Sequence, residues 1–148
     1  AYGVENPSME DIEKAAEIAQ AKEFIDALDD GYDAKVEQGG KNFSGGQKQR
    51  LSIARAVIKK PKIFVFDDSF SSLDFKTDSA LRTALKEEVK DATVFIVAQR
   101  IGTIMDADQI IVLQEGKMVG LGKHEDLIKN CDVYKEIALS QLDEEEIR

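Results

Sequence analysis

Asn42-Phe43-Ser44-Gly45-Gly46-Gln47-Lys48-Gln49-Arg50 is followed, after Pro61, by Ile63-Phe64-Val65-Phe66-Asp67-Asp68. This pairing decides the fold. Two glycines at a helix entry let the backbone come close to a ligand. The spacing predicts a helix over residues 47–59, with Leu51, Ala54, Val57 and Ile58 on one side, until Pro61 stops it. Residues 63–66 are a short unbroken apolar run, which is the pattern of a strand buried on both faces of a parallel sheet. A helix over 77–90 and a second buried strand over 93–98 complete a strand–helix–strand unit. Such a unit implies parallel pairing and a right-handed crossover.

Outward from this centre the chain is mostly helical on its N-terminal side. Ser8 followed by Asp11 is an N-cap with an acidic third position, and Ile12, Ala15, Ala16 and Ala19 recur at helical spacing. A short helix over 22–28 ends at Asp30-Gly31, and a glycine-rich loop spans 36–46. On the C-terminal side Glu115-Gly116 reads as a two-residue hairpin turn between strands over 109–114 and 117–121. Short helices over 123–129 and 132–142 follow, and the acidic run Asp143 to Glu146 reads as a solvated helix end.

The 148 residues make about one domain and can bury a sizeable core. A net charge of -9, from 20 Lys and Arg against 29 Asp and Glu, argues against nucleic-acid binding, which needs clustered cations. A hydrophobic content of 43% argues against disorder. One cysteine, Cys131, and one histidine, His124, cannot build an internal disulfide or a structural zinc site. The longest apolar run, Val94 to Ala98, is far short of a membrane span, and the first eight residues lack signal-peptide regions.

Ligands of open α/β sheets bind at the carboxyl ends of the strands, where Asp67-Asp68 stands. Two acids after a buried strand need a cation or donors. Alone they fit either Mg²⁺ with nucleotide phosphates or a helix N-cap pair. Ser44-Gly45-Gly46 offers a hydroxyl, free amides and the positive end of a helix, which suits a phosphate. An isolated Gly-Gly at a helix entry is more often structural. His124, in Gly122-Lys123-His124-Glu125-Asp126, reads as structural, Cys131 as inert, and Arg55 as a brace for its helix. Asp78, Glu87 and Glu88 read as a solvated helix face.

Taken together, residues 42–50, Ala54-Arg55-Ala56, residues 63–68 and Ser71-Ser72-Leu73-Asp74 closely resemble the nucleotide-binding domain of ABC transporters of the exporter type. Residues 43–47 match the signature motif, 63–68 the Walker B strand and 71–74 the D-loop. Residues 36–40 look like the exporter loop that contacts the membrane domain. Ala1-Tyr2-Gly3 resembles the segment after the glutamine loop.

The resemblance implies an α/β, P-loop NTPase-like fold. Residues 1–60 would form a helical signature subdomain and 61–148 the C-terminal half of a RecA-like ATPase core. It further implies ATP and Mg²⁺ as cofactors, and a location on the cytoplasmic face of the membrane. The implied partners are a second nucleotide-binding domain, on a different chain, and a transmembrane domain. Ser44, Gly45, Gly46, Gln47 and Asp74 would bind nucleotide, and Asp67 the metal. Because the pattern G-x-x-x-x-G-K-[ST] is missing, the 148 residues resemble only the later three-fifths or so of such a domain and should not hydrolyse ATP alone. The incomplete sheet should expose an edge strand.

Two positions depart from the family pattern. Asp68 stands where the catalytic base is Glu, and is one methylene shorter. Gln99, in Ala98-Gln99-Arg100, stands where a switch histidine is expected, and can donate a hydrogen bond but carry no charge. Asp68 is thus expected to be a weakened base and Gln99 a weakened phosphate sensor, as in the degenerate half of a heterodimeric exporter. One alternative is a non-catalytic interaction module derived from such a domain. A second, a DNA-repair or chromosome-organising ATPase, is disfavoured by the acidic charge and the lack of a heptad run.

Overall fold

A computed structural model describes residues 4–142, so the segment 1–3 and the acidic run 143–146 lie outside the described residues. The elements in order are α1 (Met9–Ile18), α2 (Lys22–Asp26), α3 (Gly45–Val57), β1 (Ile63–Asp67), α4 (Phe75–Glu88) and β2 (Thr93–Val97). After these come α5 (Ile101–Ile104), β3 (Ile110–Gln114), β4 (Lys117–Gly122), α6 (His124–Asn130) and α7 (Asp132–Leu139). The chain divides into two compact units, Ala1–Val97 and Ala98–Arg148. That division falls well beyond the sequence boundary at 60/61 because β1 shares a core with the helices that precede it.

In the first unit β1 pairs with β2 in parallel, Ile63 opposite Thr93 through Asp67 opposite Val97, with α4 as the crossover. Phe64 and Phe66 stack at 5.7 Å and point into a core with Ala15, Ala16, Ala19, Ile53, Val57, Leu81 and Leu85. Ala15 and Ala16 of α1 and Ala19 at its C-cap share this core with Ile53 and Val57 of α3, and the helix that the spacing of Ile12, Ala15, Ala16 and Ala19 predicts is present. Ser8 caps α1 as expected, accepting from the Asp11 amide at 3.1 Å and donating to its carboxylate at 2.6 Å. Lys14 pairs with Glu88 across α1 and α4 at 3.3 Å.

The strands are parallel as read, but not buried on both faces. Ile63 and Val65 are 60% and 67% exposed and Phe95 and Val97 more than half, while Phe64 and Phe66 are buried. The reason is the sheet's extent: among the described residues it has two strands, so only the face toward the helices is covered. A second correction concerns Asp78. It is buried, 4% exposed, and bonded to Arg82 one helical turn on at 3.0 Å. It lies one turn before Leu81 on the buried side of α4 that Leu81 and Leu85 also occupy, and that placement outweighs the preference of a carboxylate for water.

In the second unit β3 and β4 form the anticipated hairpin. Glu115 and Gly116 have φ of 49° and 75°, the two left-handed residues of a type I′ turn. A register shift falls between Val112 and Leu113. Gly120 is needed for close packing: a Cβ there would stand 2.9 Å from the Cys131 sulfur. His124 Nδ1 lies 2.8 Å from the Tyr134 hydroxyl, and both side chains are buried with Leu127 and Ala138 nearby in the sequence of the same two helices. This supports the structural reading of His124.

Among the described residues no helix is long and apolar enough to cross a membrane. The exposed apolar face of β1 and β2, with its open strand edges, leads to one expectation: the 148-residue chain self-associates. Light scattering over a concentration series should show a dimer or larger species. A monomer that persists at high concentration would contradict this.

Candidate functional site

Ser44 is the N-cap of α3 and forms a full capping box. Its hydroxyl accepts from the Gln47 amide at 3.2 Å, and its own amide donates to Gln47 Oε1 at 2.8 Å. Helix α3 therefore begins at Gly45, two residues before the start read from the sequence, and both glycines lie in its first turn. The Gly45 and Gly46 amides have no acceptor within the helix, and the Ser44 hydroxyl keeps its proton to donate. Three donors at the positive end of a helix can hold a phosphate.

The two glycines differ in what surrounds them. A Cβ on Gly46 would stand 2.9 Å from the backbone oxygen of Ser72, whereas one on Gly45 would meet only the Ser72 side chain at 3.6 Å. Gly46 is thus the point where the first turn of α3 touches the loop after β1. Arg50 holds the other side: Nη1 donates to the Gln20 carbonyl at 2.7 Å, and its guanidinium lies 4.8 Å from the ring centre of Phe24. Upstream, the Asn42 side chain donates to the Lys35 carbonyl at 2.9 Å and accepts from the Glu37 amide at 3.2 Å. Those two bonds hold the loop in which Val36 is 65% exposed and Gly39 and Gly40 take φ of 71° and 63°.

Asp67 ends β1, and Asp68 follows with φ 48°, its amide donating to the Val97 carbonyl at 3.0 Å. Aspartate is one of the few side chains that tolerate this left-handed conformation. Both carboxylates are exposed, so the burial cost anticipated for them does not arise in this structure. Nor do they form an N-cap pair: α4 starts at Phe75 and its cap is Asp74. Among the described residues no group of three or more His, Cys, Asp or Glu could hold a metal ion. Two exposed carboxylates at a strand end nevertheless fit Mg²⁺, which uses one or two carboxylates and fills its remaining positions with water and phosphate oxygens.

The remaining expected residues separate. Both carboxylate oxygens of Asp74 accept from Thr77, from its amide at 3.0 Å and its hydroxyl at 2.7 Å, so its visible work is to cap α4. Gln99 belongs to the second unit, where its side chain is exposed and its carbonyl accepts from Gln141 Nε2 at 2.8 Å. The sequence reading missed Gln49, which bonds to the loop after β1 at three points. The second glutamine of Gln47-Lys48-Gln49 was its only signal, and its partners lie 19 to 23 residues away.

A parallel strand ends in paired carboxylates, and a Ser-Gly-Gly helix entry packs on the loop that follows. Residues 4–71 match the family model described as ABC transporter. An uncharacterized ABC transporter ATP-binding protein of Mycobacterium bovis is 50% identical over 86% of this chain and 22% of its own length. An ATP-dependent lipid A-core flippase of Aliivibrio fischeri is 43% identical over 86% of this chain and 22% of its own length. The structure of a bacterial Atm1-family ABC exporter with ATP bound superposes with a TM-score of 0.92 at 36% identity, over 97% of this chain and 25% of that one. The chain is part of an ABC-transporter ATP-binding domain, and it spans about a quarter of the length of these relatives.

Two outcomes follow from the geometry. Gly46→Ala should lower stability by about 1–3 kcal/mol in a urea melt, because the Ser72 backbone must move, and Gly45→Ala by under about 1 kcal/mol. Hydrogen bonds from the Thr77 side chain and then its amide hold the Asp74 carboxyl below its ordinary value of 3.8. Because the folded value is the lower one, the cap's contribution is complete above 3.8 and fades as pH falls through the folded value. The Thr77 amide resonance should therefore titrate in wild type below pH 3.8 and stay flat in Asp74→Asn.

Proposed function

We propose that these residues serve ATP-driven export, supplying the signature side of one composite ATP site and the Walker B side of another. The observation that carries this reading is the capped first turn of α3, which keeps its Gly45 and Gly46 amides free of helical acceptors while Gly46 packs on the loop after the Asp67-Asp68 strand end. In this reading Ser44, Gly45 and Gly46 bind the γ-phosphate of an ATP held by a partner nucleotide-binding domain, and Gln47 keeps the Ser44 hydroxyl oriented. Asp74 acts indirectly, by fixing where the loop ends and α4 begins.

On the other side, Asp67 would hold Mg²⁺ through water, and the ion, when bound, neutralises phosphate charge. Asp68 is the residue that takes the proton of the attacking water. Being one methylene short of glutamate, it reaches that water poorly, since a base must come within about 2.6–3.2 Å. Gln99 donates a hydrogen bond toward the phosphate without adding charge. A site of this kind binds ATP and turns it over slowly, while an intact signature serves the partner's site. That asymmetry suits one half of a heterodimer on the cytoplasmic face of the membrane. The loop with exposed Val36 is the surface that would meet the transmembrane domain.

In a full ATP-binding domain carrying these residues, Asp68→Glu with Gln99→His should raise ATP turnover by about 10²-fold opposite an intact partner signature. No gain should appear opposite a degraded one. A large gain with the partner's signature removed would defeat the composite-site reading.

A further inference from the structure

Gln49 sits in the second turn of α3 and reaches the loop after β1 with its whole amide group. Its Nε2 donates to the Asp68 carbonyl at 3.2 Å and to the Ser71 hydroxyl oxygen at 3.1 Å, and its Oε1 accepts from the Ser72 amide at 3.0 Å. A primary amide has two N–H donors and one carbonyl acceptor, so the side chain matches this loop with every group used. Neither a carboxylate nor an aliphatic chain can make the same set.

The residue it grips is conformationally unusual. Asp68 has φ 48°, and its backbone is held on three sides. Its amide donates to Val97 of β2 at 3.0 Å, while its carbonyl accepts from Gln49 of α3 at 3.2 Å and from the Ser71 hydroxyl at 3.1 Å. A non-glycine residue persists in the left-handed region only where the surroundings over-determine it. Of these contacts, the one to Gln49 ties the loop to the helix that carries Ser44, Gly45 and Gly46. A Cβ on Gly46, one turn earlier on α3, would stand 2.9 Å from the Ser72 carbonyl oxygen, so Ser72 is bound to the helix through its amide and its oxygen lies beside it.

We infer that Gln49 is a positioning residue for the reaction: it sets the direction of the Asp68 carboxylate from the signature helix. This rests on the reading of Asp68 as the base. Since Gln49 is only half-buried and its partners lie in an exposed loop, removing it should loosen the loop without unfolding the unit.

Two measurements test it. In the 148-residue chain, amide exchange at Ser72 should speed up about tenfold in Gln49→Ala. Gln49→Glu, which keeps the acceptor, should hold Ser72 near the wild-type rate, and neither variant should move the urea midpoint appreciably. In a full ATP-binding domain restored by Asp68→Glu and Gln99→His, adding Gln49→Ala should lower kcat by about tenfold or more with KM for ATP nearly unchanged. Unchanged Ser72 exchange in Gln49→Ala, or an undiminished kcat in the restored protein, overturns the inference. If the restored protein gains no turnover at all, the base reading itself falls, and the positioning role falls with it even where Ser72 exchange responds.

Discussion

A Cβ on Gly46 would stand 2.9 Å from the Ser72 carbonyl oxygen, so the signature helix and the loop after β1 meet where only glycine fits without a shift. That contact fixes how near the signature helix comes to the loop after β1. Around it, Gln49 adds three hydrogen bonds and the Ser44–Gln47 capping box starts the helix at the right residue. A helix beginning later would leave both glycines outside its first turn and would offer different amides to a phosphate. Missing side chains are therefore as informative here as the polar groups, because they allow two backbone segments to carry the chemistry.

The loop is fixed from its other side by the sheet. Phe64 and Phe66 anchor β1 in a core built with the small residues of α1 and the aliphatic side of α3, and this sets where Asp67 and Asp68 emerge. Asp74 then stops the loop by capping α4. The three structural anchors are thus a buried strand face, a glycine contact and a helix cap, all within the first compact unit. The second unit has its own core around Tyr134, Ile101 and Leu127, with His124 bonded inside it.

The sequence reading failed where burial had to be guessed from composition. An unbroken apolar run cannot distinguish a strand covered on both faces from one covered on a single face, because the difference lies in neighbouring strands. Ile63 and Val65 show this. Asp78 failed for the opposite reason: a charged residue on a helix reads as solvated until the packing partner of that face is known. The work of Asp74 that the geometry shows is local, its carboxylate being engaged with Thr77.

What the sequence determined by itself was local or repeated in pattern. The Ser-Gly-Gly helix entry, the apolar strand ending in two acids, the strand–helix–strand order and the Glu115-Gly116 hairpin all depend on residues within a few positions of one another. Turn chemistry, capping and periodicity act over that range, so they can be read along the chain. Relations between segments about twenty residues or more apart emerge only on packing: Gln49 on the Asp68–Ser72 loop, Arg50 on Gln20, and Gly46 beside the Ser72 carbonyl. These depend on the angle and distance at which packed elements meet. That geometry is set by the summed shape of a core, which no single stretch of sequence contains.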